Sequence, residues 1–209
     1  LIAARDHQVK RVVMASSSSV YGNSPTLPKV ETFEPAPLSP YAVTKLAGEY
    51  YARVFANLYG LSTICLRYFN VFGPRQDPHS QYSGALAKFV QCALHGEPYP
   101  VYGDGEQSRD FTYIENVVRA NLLAASSELD GALVMNVASG TRVTLNQIIA
   151  TLNELTHQSL PTHYGPPRAG DVRHSHADVS RARELLGYEP AVDVQEGLRR
   201  TLEWYREQG

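Results

Sequence analysis

Tyr41 and Lys45 stand four residues apart in the run Tyr-Ala-Val-Thr-Lys. On a helix that spacing puts both side chains on one face. A free phenol titrates near ~10 and is a poor base at neutral pH. A neighbouring ammonium favours the phenolate, and so does the positive end of a helix dipole if Tyr41 lies in the first turn. The pair can then act as a general base. Alone the pattern is weak, because a tyrosine packed beside a surface lysine gives it too. A second feature strengthens it. Ser16-Ser17-Ser18-Ser19-Val20-Tyr21-Gly22 follows a short apolar run. If that run is a parallel strand, the serines lie at its carboxyl end, where open α/β sheets bind ligands. A serine there can share a proton with a substrate hydroxyl. A flexible serine loop is the plain alternative.

The elements that must position these residues follow from the pattern of apolar and breaker residues. Val12–Ala15 reads as a buried strand, and 16–39 as a polar, proline-rich loop. Ser39-Pro40 reads as a capped helix start, with the helix reaching about Tyr59 and ending at Gly60. Ala42, Leu46, Tyr50, Val54 and Leu58 would form its apolar face. Thr63–Tyr68 reads as a second strand and Ala85–His95 as a helix closed by Gly96. Val101-Tyr102 and Asp110–Tyr113 read as short strands around a hairpin-like turn, "GDGEQ". Further helices are expected over Ile114–Ser127, from Thr144 to about Thr156, Val179–Leu186 and Val194–Glu207, with a strand at Val134–Ala138. Alternating strands and helices imply an α/β fold with a mainly parallel sheet.

Composition narrows the partners. The 209 residues are 43% hydrophobic and 19% charged, with net charge −2 and no basic run, which argues against nucleic acid. No apolar run approaches the ~18 residues of a membrane span. Cys65 and Cys92 sit in apolar segments and read as small buried side chains, which suits a reducing cytoplasm. His174 and His176 alternate on one expected strand face but have no third partner at a telling spacing, so no metal is assigned. Leu1 opens a run that reads as the end of a helix passing into a strand, so the chain is expected to begin in mid-fold.

The motifs "SSSSVYG", "SPYAVTK", "LRYFNVFGPRQDP", "VYGDGEQSRDFTYIENV" and "RAGDVRHSHADVS", in that order, resemble the extended short-chain dehydrogenase/reductases, in their NAD-dependent epimerase/dehydratase branch. The resemblance implies a Rossmann-like, doubly wound parallel sheet with a smaller α/β substrate domain. Residues 1–75 would be the remainder of the NAD-binding unit. Residues 76–209 would be mainly the nucleotide-sugar unit, with about 108–140 returning to the sheet. It implies catalysis by Ser17, Tyr41 and Lys45, with Ser16, Tyr68 and Phe69 beside the NAD, which Tyr41 and Lys45 also contact, the lysine at the nicotinamide ribose. It assigns Ser18, Asn70, Leu86, Tyr102, Arg109, Arg168, Asp171 and Ser175 to a UDP-sugar. A guanidinium fork suits a diphosphate in the cases of Arg109 and Arg168.

Within this branch the reaction is chosen by what surrounds the hydroxyl. Dehydration needs an acid–base pair after it, and Ser18 and Ser19 carry no carboxyl. A decarboxylase would need a cation for the sugar carboxylate, and none is assigned. The resemblance therefore implies C4 epimerisation. Ser175, where galactose-type epimerases have a bulky tyrosine, implies room for a 2-acetamido group and interconversion of UDP-GlcNAc and UDP-GalNAc, with leakage to UDP-glucose and UDP-galactose expected because pocket size discriminates only modestly. "GDVRHS" is similar to the UDP-N-acetylglucosamine 4-epimerases. The glycine-rich dinucleotide turn is not found, so the isolated chain is expected to bind NAD poorly. A non-enzymatic nucleotide-sugar binder is the alternative of another class. The helix after Tyr41 would either build a homodimer or pack its apolar stripe on its own sheet.

Overall fold

The computed structural model describes residues 1–78, 84–167 and 172–208. A short helix α1 (Ile2–Asp6) leads into β1 (Arg11–Ser17), and a 3-10 turn over Ser18–Tyr21 follows. The strand thus runs two residues further than its apolar stretch, into the first serines. Helix α2 (Pro40–Tyr59) is capped by the Ser39 hydroxyl, which accepts from the Ala42 N–H, and ends on Gly60 in the left-handed conformation. Both signals were expected. Then come β2 (Ser62–Tyr68), β3 (Val71–Phe72), α3 (Ala85–His95), β4 (Tyr99–Tyr102), β5 (Ser108–Arg109) and β6 (Thr112–Tyr113). The chain continues through α4 (Ile114–Ser126), β7 (Ala132–Val137), β8 (Val143–Thr144), α5 (Leu145–Thr156), β9 (Thr162–Gly165), α6 (Ser180–Leu186) and α7 (Val194–Gln208).

The main sheet has the order β1-β2-β7, all parallel, in register from Arg11 opposite Ser62 to Ser17 opposite Tyr68, and on to Val137. The fold is the expected α/β class. Its three carboxyl ends finish level, which creates an open edge for ligands. The segment around "GDGEQ" is a correction. It does not join a hairpin: β4 pairs in parallel with β9, β5 antiparallel with β8, and β6 in parallel with β3. Short strands around a glycine turn look alike whether they pair with each other or with distant segments.

The apolar stripe of α2 is a second correction. Ala42 is buried and Leu46 packs into the core, but Tyr50, Val54 and Leu58 are exposed. Steps of four residues turn about 400°, so five such positions drift about 160° around the helix. The face that meets the sheet runs instead through Ala42, Glu49 and Ala52. One apolar core is centred on α3, α5 and α7, and another lies beneath the main sheet against α4 and α6.

Candidate active site

The end of β1 turns so that its serines point in different ways. Ser17 caps the 3-10 turn, its oxygen accepting from the Ser19 N–H at 3.2 Å, which leaves its own O–H to donate elsewhere. Gly22, at φ 59°, closes the turn, and a Cβ there would meet the Ala36 carbonyl oxygen at 1.9 Å. The chain then returns to Ser39, whose cap sets Tyr41 in the first turn of α2. Lys45, one turn later, extends over it. Its Nζ lies 5.5 Å from the Tyr41 ring centre and donates to the Ala15 carbonyl at 3.1 Å. Phenol, ammonium and strand end are therefore together, as the spacing predicts.

Ser16, Ser17 and Ser18 line a cavity of about 820 Å³ with Tyr41. Tyr68, Phe69 and Asn70, at the end of β2, form its next wall, and Leu86, Tyr102, Arg109 and Ser175 complete the far side. Three tyrosines stand near the serines, and their surroundings separate them. Tyr21 is buried and its phenol is pushed up to about 12 by that burial; its O–H donates to Asn136 at 2.7 Å. Tyr68 is raised by burial too and donates to Asn121 at 3.0 Å. Both keep their protons. Tyr41 is 45% exposed and has a cation beside it, so it is the one suited to a base.

On the far side Asn70, at φ 36°, spends its amide hydrogens on the Asp110 carbonyl and on Ser175 Oγ, at 2.9 and 3.0 Å. Ser175 is thus held by a neighbour. Arg109 donates to the carbonyls of Ser108 and Arg173. Helix α3 starts on Gly84 without a side-chain cap, which leaves the first-turn amides near Leu86 for a ligand or solvent. Arg168 and Asp171 lie outside the described residues. His174 meets Ser108 Oγ at 2.8 Å and His176 meets the Gly140 carbonyl at 3.1 Å, so the two rings serve different partners. Among the described residues no cluster of three or more His, Cys, Asp or Glu could hold a metal.

Several residues here were not read from the sequence. Asp110, fully buried and raised by that burial, accepts from Ser139 N–H and Oγ and from Ala177 N–H, tying the Ser175 segment to the end of β7. Lys29 lines the cavity and donates to the Ser24 carbonyl. Glu49 and Arg67 pair beneath Ser16. One signal was available for Glu49: it stands four residues after Lys45, which puts it on the face that carries the catalytic pair. A second cavity, about 490 Å³, lies against α4. Its Asn116 and Glu115 are spent on Val192, Ala191 and Arg200, and Val118, Leu122, Leu123 and Ala191 make much of the rest of its lining apolar.

The chain is 38% identical over 205 residues to the UDP-glucose 4-epimerase of Mycolicibacterium smegmatis, covering 98% of itself and 65% of that protein. It is 37% identical to the UDP-glucuronate 4-epimerase of Thermodesulfobacterium geofontis, covering 97% and 61%. It therefore spans under two thirds of the length of both relatives. A solved structure of the UDP-N-acetylglucosamine 4-epimerase from Methanobrevibacter ruminantium, in complex with UDP-N-acetylmuramic acid, superposes with a TM-score of 0.95 at 40% identity, covering all of this chain and 66% of that one. Residues 1–138, which carry the serines, Tyr41 and Lys45, match a family as a continuous block, and the chain accordingly belongs to the NAD dependent epimerase/dehydratase family.

Proposed function

We propose that this protein catalyses C4 epimerisation of a UDP-sugar through a 4-keto intermediate, and that the sugar is an N-acetylhexosamine, UDP-GlcNAc or UDP-GalNAc. The observation that carries the reading is the Tyr41–Lys45 pair at the open end of the parallel sheet, beside Ser17. The cavity fits the nicotinamide end of NAD: Ser19 Oγ is buried there without a partner among the described residues, Ser16 and Phe69 wall the same side, and Lys45 keeps donors beyond the one given to Ala15. NAD, when bound, supplies the oxidant that makes the C4 carbonyl and the reductant that restores the alcohol.

The chain's own residues supply the rest. Tyr41 takes the proton of the C4 hydroxyl and returns it. Lys45 stabilises the phenolate by charge, and Ser17 donates to the same hydroxyl oxygen through the O–H that accepting from the Ser19 N–H leaves available. Arg109 holds a phosphate oxygen at the far side, and Arg168 and Asp171 are assigned to the same end by their motif. With the nucleotide held, a cavity of about 820 Å³ leaves the sugar room to turn and present its other face. Ser18 and Ser19 offer no carboxyl, which disfavours dehydration.

Sugar choice rests on Ser175, a small side chain fixed by Asn70. Ser175→Tyr would fill the acetamido space. The variant should lose about 10–200-fold in kcat/KM on UDP-GlcNAc and keep its rate on UDP-glucose, the range expected when a pocket gains or loses a small group. Proton NMR of both sugar pairs, with NAD saturating, reads this. A tyrosine variant that keeps its N-acetyl activity overturns the sugar assignment. A homodimer through the exposed side of α2 belongs to the same proposal.

A further inference from the structure

Arg67 and Glu49 form a two-pronged ion pair inside the protein. Nε meets Oε1 at 2.9 Å and Nη2 meets Oε2 at 2.7 Å, with side chains only 4% and 5% exposed. A buried pair of this kind is a poor source of net stability, because desolvation offsets the attraction, and apolar residues of similar volume often do as well. Arg67 Nη1 is moreover left without a partner among the described residues. Stability alone does not account for such an arrangement.

Its location does. The pair joins α2, which carries Glu49, to β2, which carries Arg67. Ser16 of β1 donates its O–H to Glu49 Oε1 at 2.5 Å, and the Tyr21 ring lies 4.7 Å from the guanidinium carbon. Lys45 and Glu49 lie one helical turn apart. They grip consecutive residues of β1: Lys45 takes the Ala15 carbonyl and Glu49 takes the Ser16 hydroxyl. The next residue of the strand is Ser17. The hydrogen of Ser16 is spent on Glu49, so its oxygen meets the cavity only with lone pairs.

We propose that the Glu49–Arg67 pair is a positioning device for the reaction: it sets the register of α2 against the end of β1, so that Tyr41 and Lys45 face Ser17, and it fixes Ser16 as a hydrogen-bond acceptor toward the bound ligand. The inference rests on the reading of Ser17, Tyr41 and Lys45 as the catalytic set. Neither Glu49 nor Arg67 touches substrate; both act through the residues they hold.

The test compares wild type with Glu49→Gln and with the double variant Glu49→Leu, Arg67→Met. The double variant should fold with a thermal midpoint near that of wild type. Its kcat should fall about 100-fold, the loss expected from displacing a reacting group by an ångström. KM for the UDP-sugar should stay within about threefold, because nucleotide contacts are untouched. Nuclear Overhauser contacts between the Lys45 side chain of α2 and Ala15 of β1, measured without substrate, should weaken in the same variant. Glu49→Gln keeps an acceptor for Ser16 and should fall between the two; it carries the test if the double variant does not fold. A double variant with wild-type kcat and unchanged contacts overturns the proposal, as does a rise in KM with kcat intact. If wild type binds UDP-sugar but turns nothing over, the catalytic reading fails, and the Overhauser contacts still decide the positioning.

Discussion

Four tyrosines line one cavity, and burial and partners divide the work of the three beside the serines. Tyr21 and Tyr68 keep their protons and donate hydrogen bonds to asparagine side chains, while Tyr41 has Lys45 over its ring. The Tyr-x-x-x-Lys spacing and the serine run were legible in the sequence because helical spacing and strand ends are local features. Asp110, Lys29 and Arg67 were not, because their meaning depends on segments tens of residues away that only the sheet brings together. Ser17 has two roles on this account: it caps the turn after β1, and it is the hydroxyl proposed to act with Tyr41 in the same cavity. Ser17→Ala therefore removes a cap and a donor. Its kcat should fall about 10²–10⁴-fold, the usual worth of a proton-transfer group, with UDP affinity by calorimetry unchanged. A loss of UDP affinity equal to the loss of rate would assign Ser17 to binding.

The strand-turn-helix unit from β1 to α2 places the site, and its punctuation was readable: Ser39, Pro40 and Gly60 all behave as the sequence indicates. The direction of the helix face was not, since spacing by four alone drifts away from the buried line. Ser39→Ala should cost about 1 kcal/mol, the usual worth of a helix cap, seen as a lower thermal midpoint. Helix α7 supplies a pH test. Hydrogen bonds from Arg199 and Arg200 hold the Glu196 carboxyl down at about 2, against an ordinary 4.5. A depressed carboxyl contributes stability above its unfolded value and loses it as pH falls toward the folded one. The thermal midpoint of wild type should thus drop more steeply than that of Glu196→Gln between pH 4.5 and 2. Parallel slopes would remove Glu196 from the account.

At the scale of the molecule, a parallel sheet with level carboxyl ends explains why distant segments meet at one cavity. The α/β class was legible from alternating strand and helix patterns. The partners of the short strands around "GDGEQ" were not, because pairing between short strands is set by tertiary packing. Beyond the core, α2 exposes Tyr50, Tyr51, Val54 and Leu58, with Tyr51 at 64% and Leu58 at 68%. The proposed second copy would cover this face. Tyr51→Glu with Leu58→Glu should then shift the sedimentation coefficient from dimer to monomer; an unchanged coefficient would remove this face from the interface.

The most direct measurement follows UDP-GlcNAc by proton NMR in the presence of saturating NAD, with wild type and Tyr41→Phe side by side and UDP binding checked by calorimetry. A phenylalanine keeps the ring and its packing and removes only the atom that takes the proton. The expected result is appearance of the C4 epimer with wild type, a rate at least about 100-fold lower with the variant, and equal UDP affinity in both. A Tyr41→Phe protein that makes the epimer as fast as wild type would contradict the assignment of Tyr41 as the base.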